Sequence, residues 1–363
     1  MKNIIIFYPS FERGGATKIL FNLIKFFSKK KINIYLITNK ISNDLKHVKL
    51  LKTLIIKDKN ISFINNRIIT SFKAAKLLVK LIKILDKDHT IIFSMQSNFF
   101  STLIGFIFKF KTIIRVSEDP CGATKYADNK LFAYIILITK FLTYNLSYKI
   151  IANAKKSQEC IKKFTYNKNK VIFLRNPTLN KLHKIKKTKS KKYFLNIGRY
   201  CKQKNQSFLI DTFYKFNKKN DNFVLILNGD GADKEKLKEK VNKLKLNKKV
   251  KFIGWKKRTD DLYKNAKLFI LTSYYEGMPN VLIEALNNEI PVIAFNSSGV
   301  EDLLLGGKGG EIFFKMSSEE LLDKIYHSLN NYDKALKKTY LAKKQLKKYS
   351  VEIAGQKYIS NLK

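Results

Sequence analysis

Cysteine is scarce in this sequence. The chain of 363 residues contains three cysteines, Cys121, Cys160 and Cys201, and no two of them form a Cys-x-x-Cys pair. Their odd number and wide spacing predict neither a disulfide framework nor a cysteine-rich zinc site. Sparing use of cysteine is also typical of proteins in a reducing compartment, where thiols are kept reduced.

Long uncharged apolar runs are also missing. The two most apolar stretches, 99–110 and 131–146, are interrupted by Lys109 and Lys140, so neither predicts a membrane-spanning helix. The apolar run that follows Met1 is too short for a signal peptide, and it predicts a first β-strand instead. We therefore expect a soluble protein.

Acidic residues are few compared with basic ones. The chain has 28 Asp and Glu against 72 Lys and Arg, which gives a formal net charge of +44. Only six of the basic residues are arginine, and the lysines are spread along the whole chain. Nucleic-acid-binding proteins concentrate charge on one face and favour arginine, so we expect no nucleic-acid partner. The charge instead predicts affinity for an anionic membrane surface, at about 1 kcal/mol per well-placed lysine.

Short apolar runs alternate with longer amphipathic stretches along the chain. Runs such as Ile-Ile-Ile-Phe and Val-Leu-Ile-Leu are typical of strands buried on both faces of a parallel sheet. The predicted strands are 3–7, 32–38, 90–94, 112–116, 149–152, 171–174, 193–197, 223–227, 250–253, 268–271 and 291–294. Alternation of this kind predicts an α/β fold with helices on both faces of each sheet.

The length suits two domains, and a charged segment with almost no apolar residues, 183–192, predicts a linker between them. We therefore expect two doubly wound, Rossmann-like α/β domains. The first is predicted to span 1–182 and the second 193–345. The remainder, 346–363, is expected to form a helix that packs back on the first domain.

Open parallel sheets bind ligands at the carboxyl ends of their strands, so the loops after strands are the candidate sites. Gly14 and Gly15 follow the first strand and precede a helix, where paired glycines let the backbone approach an anion. Gly198, Arg199 and Lys204 follow the first strand of the second domain, and their two cations suit a diphosphate. The alternatives are an ordinary glycine turn and a solvated surface lysine.

A third loop, Asn228-Gly229-Asp230-Gly231, suits a nucleobase or phosphate, although the same residues form ordinary turns. The strongest signal is 273–285, which places Glu276 in a loop at a strand end and Glu284 in the helix that follows. Carboxylates accept hydrogen bonds from the vicinal diols of sugars and riboses, so this pair suits a nucleotide sugar. For either glutamate alone, the alternative is an acidic residue that stabilises the start of a helix.

Glu276 and Glu284 form an E-x7-E pair within EGMPNVLIEAL, and Gly198-Arg199 through Lys204 precede it at the expected distance. With Gly14-Gly15 in the N-terminal loop, this order of motifs resembles the family-4 retaining glycosyltransferases of the GT-B fold. That family includes many enzymes of bacterial polysaccharide and lipid-linked oligosaccharide synthesis. The resemblance is specific over 190–315 and looser but colinear over 1–180, and it implies two Rossmann-like domains facing across a cleft. By this resemblance, 1–182 would be the acceptor-side domain and 193–345 the domain that binds the nucleotide sugar.

The resemblance also implies a role for each matched residue. Arg199 and Lys204 would neutralise the diphosphate of the donor, and Glu276 would contact hydroxyls of the donor sugar. Glu284 would bind the ribose. The other donor contacts would come from Gly14, Gly15, Gly198, Gly229, Gly277, Met278, Pro279 and Asn280.

The sequence departs from the family at one place. Many relatives carry a histidine after the fourth strand of the first domain, where this chain has Arg115-Val116-Ser117-Glu118-Asp119-Pro120. Arg115, Glu118 and Asp119 are therefore the candidates for positioning the acceptor. The Asp-x-Asp sequence 86–88 precedes a strand and so lies at the wrong edge of the sheet for a metal on the diphosphate. No His/Cys cluster is present, and we expect no metal and no cofactor besides the nucleotide sugar as co-substrate.

These observations and the resemblance predict a retaining glycosyltransferase. It would move a hexosyl or N-acetylhexosaminyl unit from a UDP-linked nucleotide sugar to a hydroxyl of a glycan or polyprenyl-linked acceptor. We expect a role in cell-surface polysaccharide synthesis, lipopolysaccharide included, on the cytoplasmic face of the inner membrane. The stretches 99–110 and 132–146 would lie on that membrane, or they are core helices. Two other classes stay open here: a sugar-nucleotide epimerase of similar architecture, and a basic protein that binds membranes or polyanions without catalysis.

Overall fold

The computed structural model of the chain describes residues 1–11, 14–41, 43–45, 48, 51–56, 63–183, 192–256 and 259–362. Contacts between residues divide it into two compact units. Unit 1 consists of Met1–Asn180 and Tyr349–Lys363, and unit 2 of Lys181–Lys348. The predicted linker, 183–192, lies almost wholly outside the described residues.

The described residues of unit 1 form a seven-stranded sheet in which all strands are parallel. The strands are β1 Asn3–Phe7, β2 Asn33–Thr38, β3 Leu51–Ile55, β4 Thr90–Ser94, β5 Lys111–Val116, β6 Lys149–Ala152 and β7 Val171–Phe173. Their spatial order is β3-β2-β1-β4-β5-β6-β7. The order reverses between β1 and β4, which is the point where doubly wound sheets open a crevice for ligands.

The helices of unit 1 connect these strands. They are α1 Gly15–Ser28, α2 Phe63–Ile82, α3 Asn98–Ile107, α4 Pro120–Lys125, α5 Lys130–Leu146 and α6 Lys155–Lys163. Helix α1 covers one face of the sheet, where Leu20 and Leu23 pack with Ile4 and Ile6. The alternate residues of the same strand, such as Ile5, face α2 on the other side. Burial on both faces explains why β1 is apolar at every position after Asn3.

Unit 2 repeats this design in its described residues. Its strands, all parallel, are β8 Tyr193–Ile197, β9 Val224–Asn228, β10 Val250–Phe252, β11 Leu268–Leu271, β12 Val292–Phe295 and β13 Glu311–Phe313. The spatial order β10-β9-β8-β11-β12-β13 reverses between β8 and β11. The helices are α7 Gln206–Asn217, α8 Lys234–Lys243, α9 Asp260–Asn265, α10 Asn280–Asn287, α11 Val300–Leu303, α12 Ser318–Asn330 and α13 Tyr332–Lys344.

The last helix, α14 Val351–Leu362, belongs to unit 1 and packs against α1. Its Tyr358, Ile359 and Leu362 join the apolar core that α1 shares with the sheet. A close approach fixes this contact, because a Cβ added at Gly355 would lie 2.7 Å from the ring of Phe26.

The structure confirms the predicted fold class and every predicted strand, with strand ends shifted by at most one residue. It adds two strands that the sequence analysis missed, β3 and β13. Strand β3 has only partly buried or exposed side chains at the edge of its sheet, and β13 is three residues long. Neither feature produces the apolar run by which the other strands were recognised.

The cysteine prediction was wrong. Cys121 in α4 and Cys160 in α6 form a disulfide, with their Cα atoms 6.0 Å apart, whereas Cys201 is a free thiol. Their separation of 39 residues does not keep them apart, since α4 and α6 pack against each other after neighbouring strands. Each strand–helix repeat returns the chain to the same edge of the sheet.

None of the helices in the described part of the chain combines the length and the apolar character needed to cross a membrane.

Candidate functional site

Two of the predicted site residues meet at the carboxyl edge of the sheet in unit 2. Lys204 lies in the loop between β8 and α7, and Glu276 in the loop between β11 and α10. The Lys204 Nζ atom donates a hydrogen bond to Glu276 Oε1, and their side chains are only 16% and 9% exposed. Because β8 and β11 are the strands at which the order reverses, the ion pair occupies the edge where such sheets bind ligands.

Three further hydrogen bonds hold these two loops together. The Tyr274 N–H donates to the Gln203 carbonyl, and the Gln203 side-chain amide donates to the Tyr275 carbonyl, both at 2.9 Å. The Thr272 hydroxyl lies 3.1 Å from the Lys204 carbonyl oxygen. The sequence analysis did not single out Gln203 or Thr272. Gln203 is adjacent to Lys204, and Thr272 directly follows β11, so both could have been recognised as residues of the strand-end loops.

Gly198, Arg199 and Gly229 form the neighbouring part of this edge. The Gly198 N–H donates to the Asn228 carbonyl at 3.0 Å, and Arg199 is exposed beside it. A Cβ added at Gly229 would lie 1.9 Å from the Gly198 carbonyl oxygen, so the contact between the two loops requires glycine at 229. At Gly198 an added Cβ would meet the side chains of Lys204 and Gln206, at ordinary distances of 3.5 and 3.7 Å.

A residue that follows β12, the strand next to β11, packs closely against the segment 277–280. Gly299 follows β12 with a φ of +81°, and a Cβ there would lie 2.6 Å from the Gly277 carbonyl oxygen. Gly277, Met278 and Pro279 are buried, and Pro279 occupies the N-cap position of α10. Gly299 therefore supports the predicted donor loop, and sequence analysis missed it because the contact comes from a different strand.

Glu284 lies in the second turn of α10 and is partly buried. The hydroxyl of the buried Tyr263 lies 3.1 Å from Glu284 Oε2 and 3.2 Å from the Val281 carbonyl oxygen. Burial, and after it the Glu284 carboxylate, raises the pKa of Tyr263 well above its usual value. Tyr263 thus stays a neutral hydrogen-bond donor that orients the carboxylate predicted to bind the ribose.

Two buried hydroxyls follow β11 and β12 at the same edge. Ser273 Oγ and Ser297 Oγ have no hydrogen-bond partner among the described residues. Buried polar atoms without partners are rare in folded proteins because they lose their hydration without compensation. Ser273 belongs to the loop that carries Glu276, and an unsatisfied buried hydroxyl there is what a site for a polar ligand would show.

The residues predicted to position the acceptor lie after β5 in unit 1. A cavity of about 510 Å³ is lined there by residues of α2, α3 and α5 and by the ends of β4 and β5. Arg115 and Glu118 both belong to its lining, and Glu118 forms an ion pair with Lys140 at 3.2 Å. The Arg115 guanidinium is buried and donates hydrogen bonds to Tyr358, Ser117 and Asn176 at 3.1, 2.5 and 2.6 Å.

Asp119 is buried and has a structural task. Its side chain caps α4 by accepting a hydrogen bond from the Cys121 N–H at 3.1 Å. Burial raises the pKa of Asp119, against the opposing effect of hydrogen bonds from the Gly122 and Cys121 backbones. Of the three candidates, Glu118 is therefore the one whose carboxylate lines the cavity without being buried.

Gly14 and Gly15 lie where the sequence analysis placed them, before and at the start of α1. A Cβ added at Gly14 would have no neighbour within 4 Å among the described residues. The Asp-x-Asp sequence, 86–88, lies between α2 and β4 and so at the amino edge of the sheet. One described group, Asp119 with Cys121 and Cys160, has the spacing of a metal site, but the disulfide occupies both sulfur atoms.

The chain is similar to known proteins in sequence and in fold. Residues 179–347 match the family described as glycosyl transferases group 1. The chain is 32% identical over 212 residues to an uncharacterized glycosyltransferase of Methanocaldococcus jannaschii, covering 53% of this chain and 50% of that relative. The chain thus spans half the length of this relative.

Two other comparisons extend over most or all of the chain. It is 24% identical over 312 residues, or 84% of this chain and 83% of the relative, to the N-acetylgalactosamine-N,N'-diacetylbacillosaminyl-diphospho-undecaprenol 4-alpha-N-acetylgalactosaminyltransferase of Campylobacter jejuni. The structure of Anabaena HepE in complex with UDP-glucose superimposes with a TM-score of 0.81, at 17% identity and with 99% of each chain covered. Residues 179–347 thus resemble the glycosyl transferases group 1 family, and the chain has the GT-B fold of the structures to which it is similar.

Proposed function

We propose that this protein is a glycosyltransferase that moves a sugar from a UDP-linked donor to a hydroxyl of a lipid-linked saccharide, with retention of the anomeric configuration. The observation that carries the proposal is the ion pair between Lys204 and Glu276. It is mostly buried, lies at the ligand-binding edge of unit 2 and falls inside the segment that matches the family.

The pair provides both halves of a donor site. A diphosphate attracts Lys204 away from Glu276, and Arg199 adds a second positive charge at the same edge. The released carboxylate then accepts hydrogen bonds from hydroxyls of the donor sugar. The buried hydroxyls of Ser273 and Ser297 find no hydrogen-bond partner in the described part of the chain, and a polar ligand would satisfy them.

The transfer step follows from these charges. The bond between the anomeric carbon and the diphosphate oxygen breaks while a bond to the acceptor oxygen forms on the same face of the sugar. The acceptor proton passes to an oxygen of the departing diphosphate, whose negative charge Arg199 and Lys204 stabilise. The proposal includes no metal or other cofactor, because these cations supply the positive charge that the leaving group requires.

The choice of UDP and of a lipid-linked acceptor draws on relatives. The Anabaena structure contains UDP-glucose, and the Campylobacter relative is named for a diphospho-undecaprenol acceptor. For the acceptor we propose the cavity of unit 1, where Glu118 and Lys140 provide polar groups for a saccharide. Because the proposed acceptor is lipid-linked, we also propose that the protein acts peripherally on the cytoplasmic face of the inner membrane. The proposed transferred unit is hexosyl or N-acetylhexosaminyl.

Calorimetric titration with UDP, GDP and ADP at about 150 mM salt tests the donor site, because salt of this strength screens contacts between exposed charges. We expect saturable binding of UDP that Lys204→Ala and Glu284→Ala each weaken at least tenfold. Lys215→Ala and Glu319→Ala are matched controls, since these residues form an exposed ion pair elsewhere in unit 2. If all three nucleotides bind equally and weakly, and no variant changes this binding, the proposed donor site is refuted.

Product analysis tests the reaction. Incubation with UDP-sugars and a polyprenyl-diphosphate-linked saccharide should give a product whose anomeric configuration, read by NMR, matches the donor. Activity should survive treatment with a chelator. An inverted linkage would refute retention, and interconversion of the donor without any acceptor would instead identify an epimerase.

A further inference from the structure

We propose that unit 1 docks on an anionic lipid bilayer through the outer face of α2, α3 and α5, called here the three-helix face. This inference rests on the proposed function and extends it, since it names the surface through which the enzyme reaches a lipid-linked acceptor. It is argued from the packing, the exposure and the charge of the three helices.

The three helices form one layer on one side of the sheet. Helix α3 contacts both α2 and α5. Helix α2 packs on Ile92 of β4, and Tyr144 of α5 packs on Ile114 of β5. Strand pairing aligns Ser94 with Ile114, so Ile92 and Ile114 point to the same face of the sheet. The opposite sides of the three helices are left to face outward.

Those outward sides carry large apolar residues. Phe72 of α2, Phe106 and Ile107 of α3, and Leu131, Phe132 and Ile138 of α5 are each more than half exposed. Scattered single apolar residues are ordinary on a protein surface, whereas a patch shared by three adjacent helices marks a binding surface. Burying it removes apolar area from water, and this contributes favourably to docking on any apolar partner.

Charge decides which partner fits. The sequences of α2, α3 and α5 contain no Asp or Glu, while Lys73, Lys76 and Lys80 lie on α2 and Lys109 directly follows α3. A surface with apolar side chains and only positive charge complements an anionic bilayer, in which lysines contact headgroups and apolar side chains enter below them. A nucleic acid would satisfy the lysines and leave the apolar residues in water.

The three-helix face continues into the cavity of unit 1. Ile68 and Ile136 are exposed and also line the cavity, whose polar lining includes Gln96, Asn98 and the Glu118–Lys140 pair. An amphiphile with an apolar chain and a polar head therefore has a continuous path from the bilayer. Its chain can pass Ile68 and Ile136 while its head meets the polar groups, which is the shape of a polyprenyl-linked saccharide.

Co-sedimentation of the full chain with vesicles tests the surface. The vesicles contain phosphatidylethanolamine with phosphatidylglycerol, and vesicles of phosphatidylcholine alone serve for comparison. We expect binding to the anionic vesicles and at least a tenfold weaker partition for the double variant Phe106→Ser/Phe132→Ser. Phe314→Ser is the matched control, because Phe106, Phe132 and Phe314 are all 60% exposed and Phe314 belongs to unit 2. Thermal unfolding checks that each variant is folded.

A second pair of variants separates this surface from the general positive charge of the chain. Lys76→Gln/Lys80→Gln/Lys109→Gln should weaken the partition by roughly fivefold per lysine. Lys236→Gln/Lys243→Gln/Lys248→Gln removes the same charge from exposed positions of unit 2 and should have little effect. Equal losses in the two triple variants would overturn the proposal.

The remaining outcomes are also decisive. Failure to bind anionic vesicles, or binding that the double variant leaves unchanged, overturns the docking surface. A dimer that Phe106→Ser/Phe132→Ser dissociates would show that a second copy of the chain covers the face, and would overturn it too. UDP titration of the same samples separates the two proposals: vesicle docking can fail while UDP still binds, and UDP binding can fail while docking persists.

Discussion

Lys204 and Glu276 are 72 residues apart in the chain, yet they form one mostly buried ion pair between the loops that follow β8 and β11. Each of these residues thus satisfies the charge of the other. Under the proposed function, a donor diphosphate would replace Glu276 as the partner of Lys204, and this would couple binding of the phosphates to release of the carboxylate for the sugar.

Breaking this ion pair from one side should destabilise unit 2. Lys204→Met or Glu276→Gln alone leaves a mostly buried partner uncompensated, at a cost of about 3 kcal/mol. The double variant should lose much less than the sum of the two single variants. Urea unfolding followed by fluorescence of Trp255, the single tryptophan, measures this in unit 2. The exposed pair Lys215–Glu319 is the control, with an expected total below about 1 kcal/mol. Additive losses at 204 and 276 would show that the two residues do not interact.

Two glycines of the donor edge should respond differently to alanine. Gly229→Ala brings a Cβ to 1.9 Å from the Gly198 carbonyl oxygen, and it should lower the melting temperature of the chain markedly. The Cβ added in Gly198→Ala meets the side chains of Lys204 at 3.5 Å and Gln206 at 3.7 Å, and because both are ordinary contacts this variant should fold normally. If Gly198 lines the donor site, this variant should still bind UDP at least fivefold more weakly. If Gly198→Ala binds UDP as tightly as the wild type, the prediction that Gly198 lines the donor site is wrong.

Glu311 predicts a pH dependence of stability. Burial opposes its ionisation, but a hydrogen bond and the charge of Lys338, together with Lys324 and His327, outweigh this effect and lower the pKa of Glu311 below 4.5. A lowered pKa in the folded state stabilises the fold above the pKa of the unfolded chain, and this stabilisation is lost as the pH falls through the folded value.

The melting temperature of Glu311→Gln should therefore be lower than that of the wild type at pH 7, and the gap should close below about pH 4.5 as the wild-type carboxylate is protonated. Glu235→Gln removes an exposed partner of Lys238 and should show little gap at any pH. A gap at Glu311 that stays constant from pH 7 to pH 3 would contradict the ionic origin of this stabilisation.

The disulfide predicts a thiol count. Oxidised chain, denatured in guanidinium, should react with a thiol reagent at Cys201 alone, and reduced chain at all three cysteines. Reduction opens a loop of 39 residues and should destabilise unit 1 by up to about 4 kcal/mol. Cys121→Ser/Cys160→Ser should melt at the same temperature with and without reductant. Three reactive thiols after incubation with an oxidant would show that the bond does not form.

Much of this protein was predictable from its sequence because the relevant signals are local. Apolar runs such as Ile4–Phe7 and Leu268–Leu271 have the composition of strands buried on both faces, wherever in the sheet they are placed. The Glu276–Glu284 spacing and the glycines before α1 are likewise readable from neighbouring positions. From these the fold class, the strands and the edge that holds Lys204 and Glu276 followed directly.

What the tertiary structure alone decided depends on the order of the strands in space, which no local pattern encodes. The reversal between β8 and β11 brings Lys204 to Glu276, and it puts Gln203 beside Tyr275 and Gly299 beside Gly277. The packing of α4 on α6 joins two cysteines that looked unrelated in sequence.

The apolar stretches 99–110 and 132–146 also show what the sequence predicts and what only the tertiary structure decides. Their composition fits a core helix and a membrane-facing helix equally, because periodicity says which residues share a side and not what covers that side. Packing on the sheet buries one side of α3 and α5 and leaves Phe106 and Phe132 exposed. The sequence determined the elements and their chemistry, and the arrangement of elements in space decided which side chains meet and which remain available to a partner.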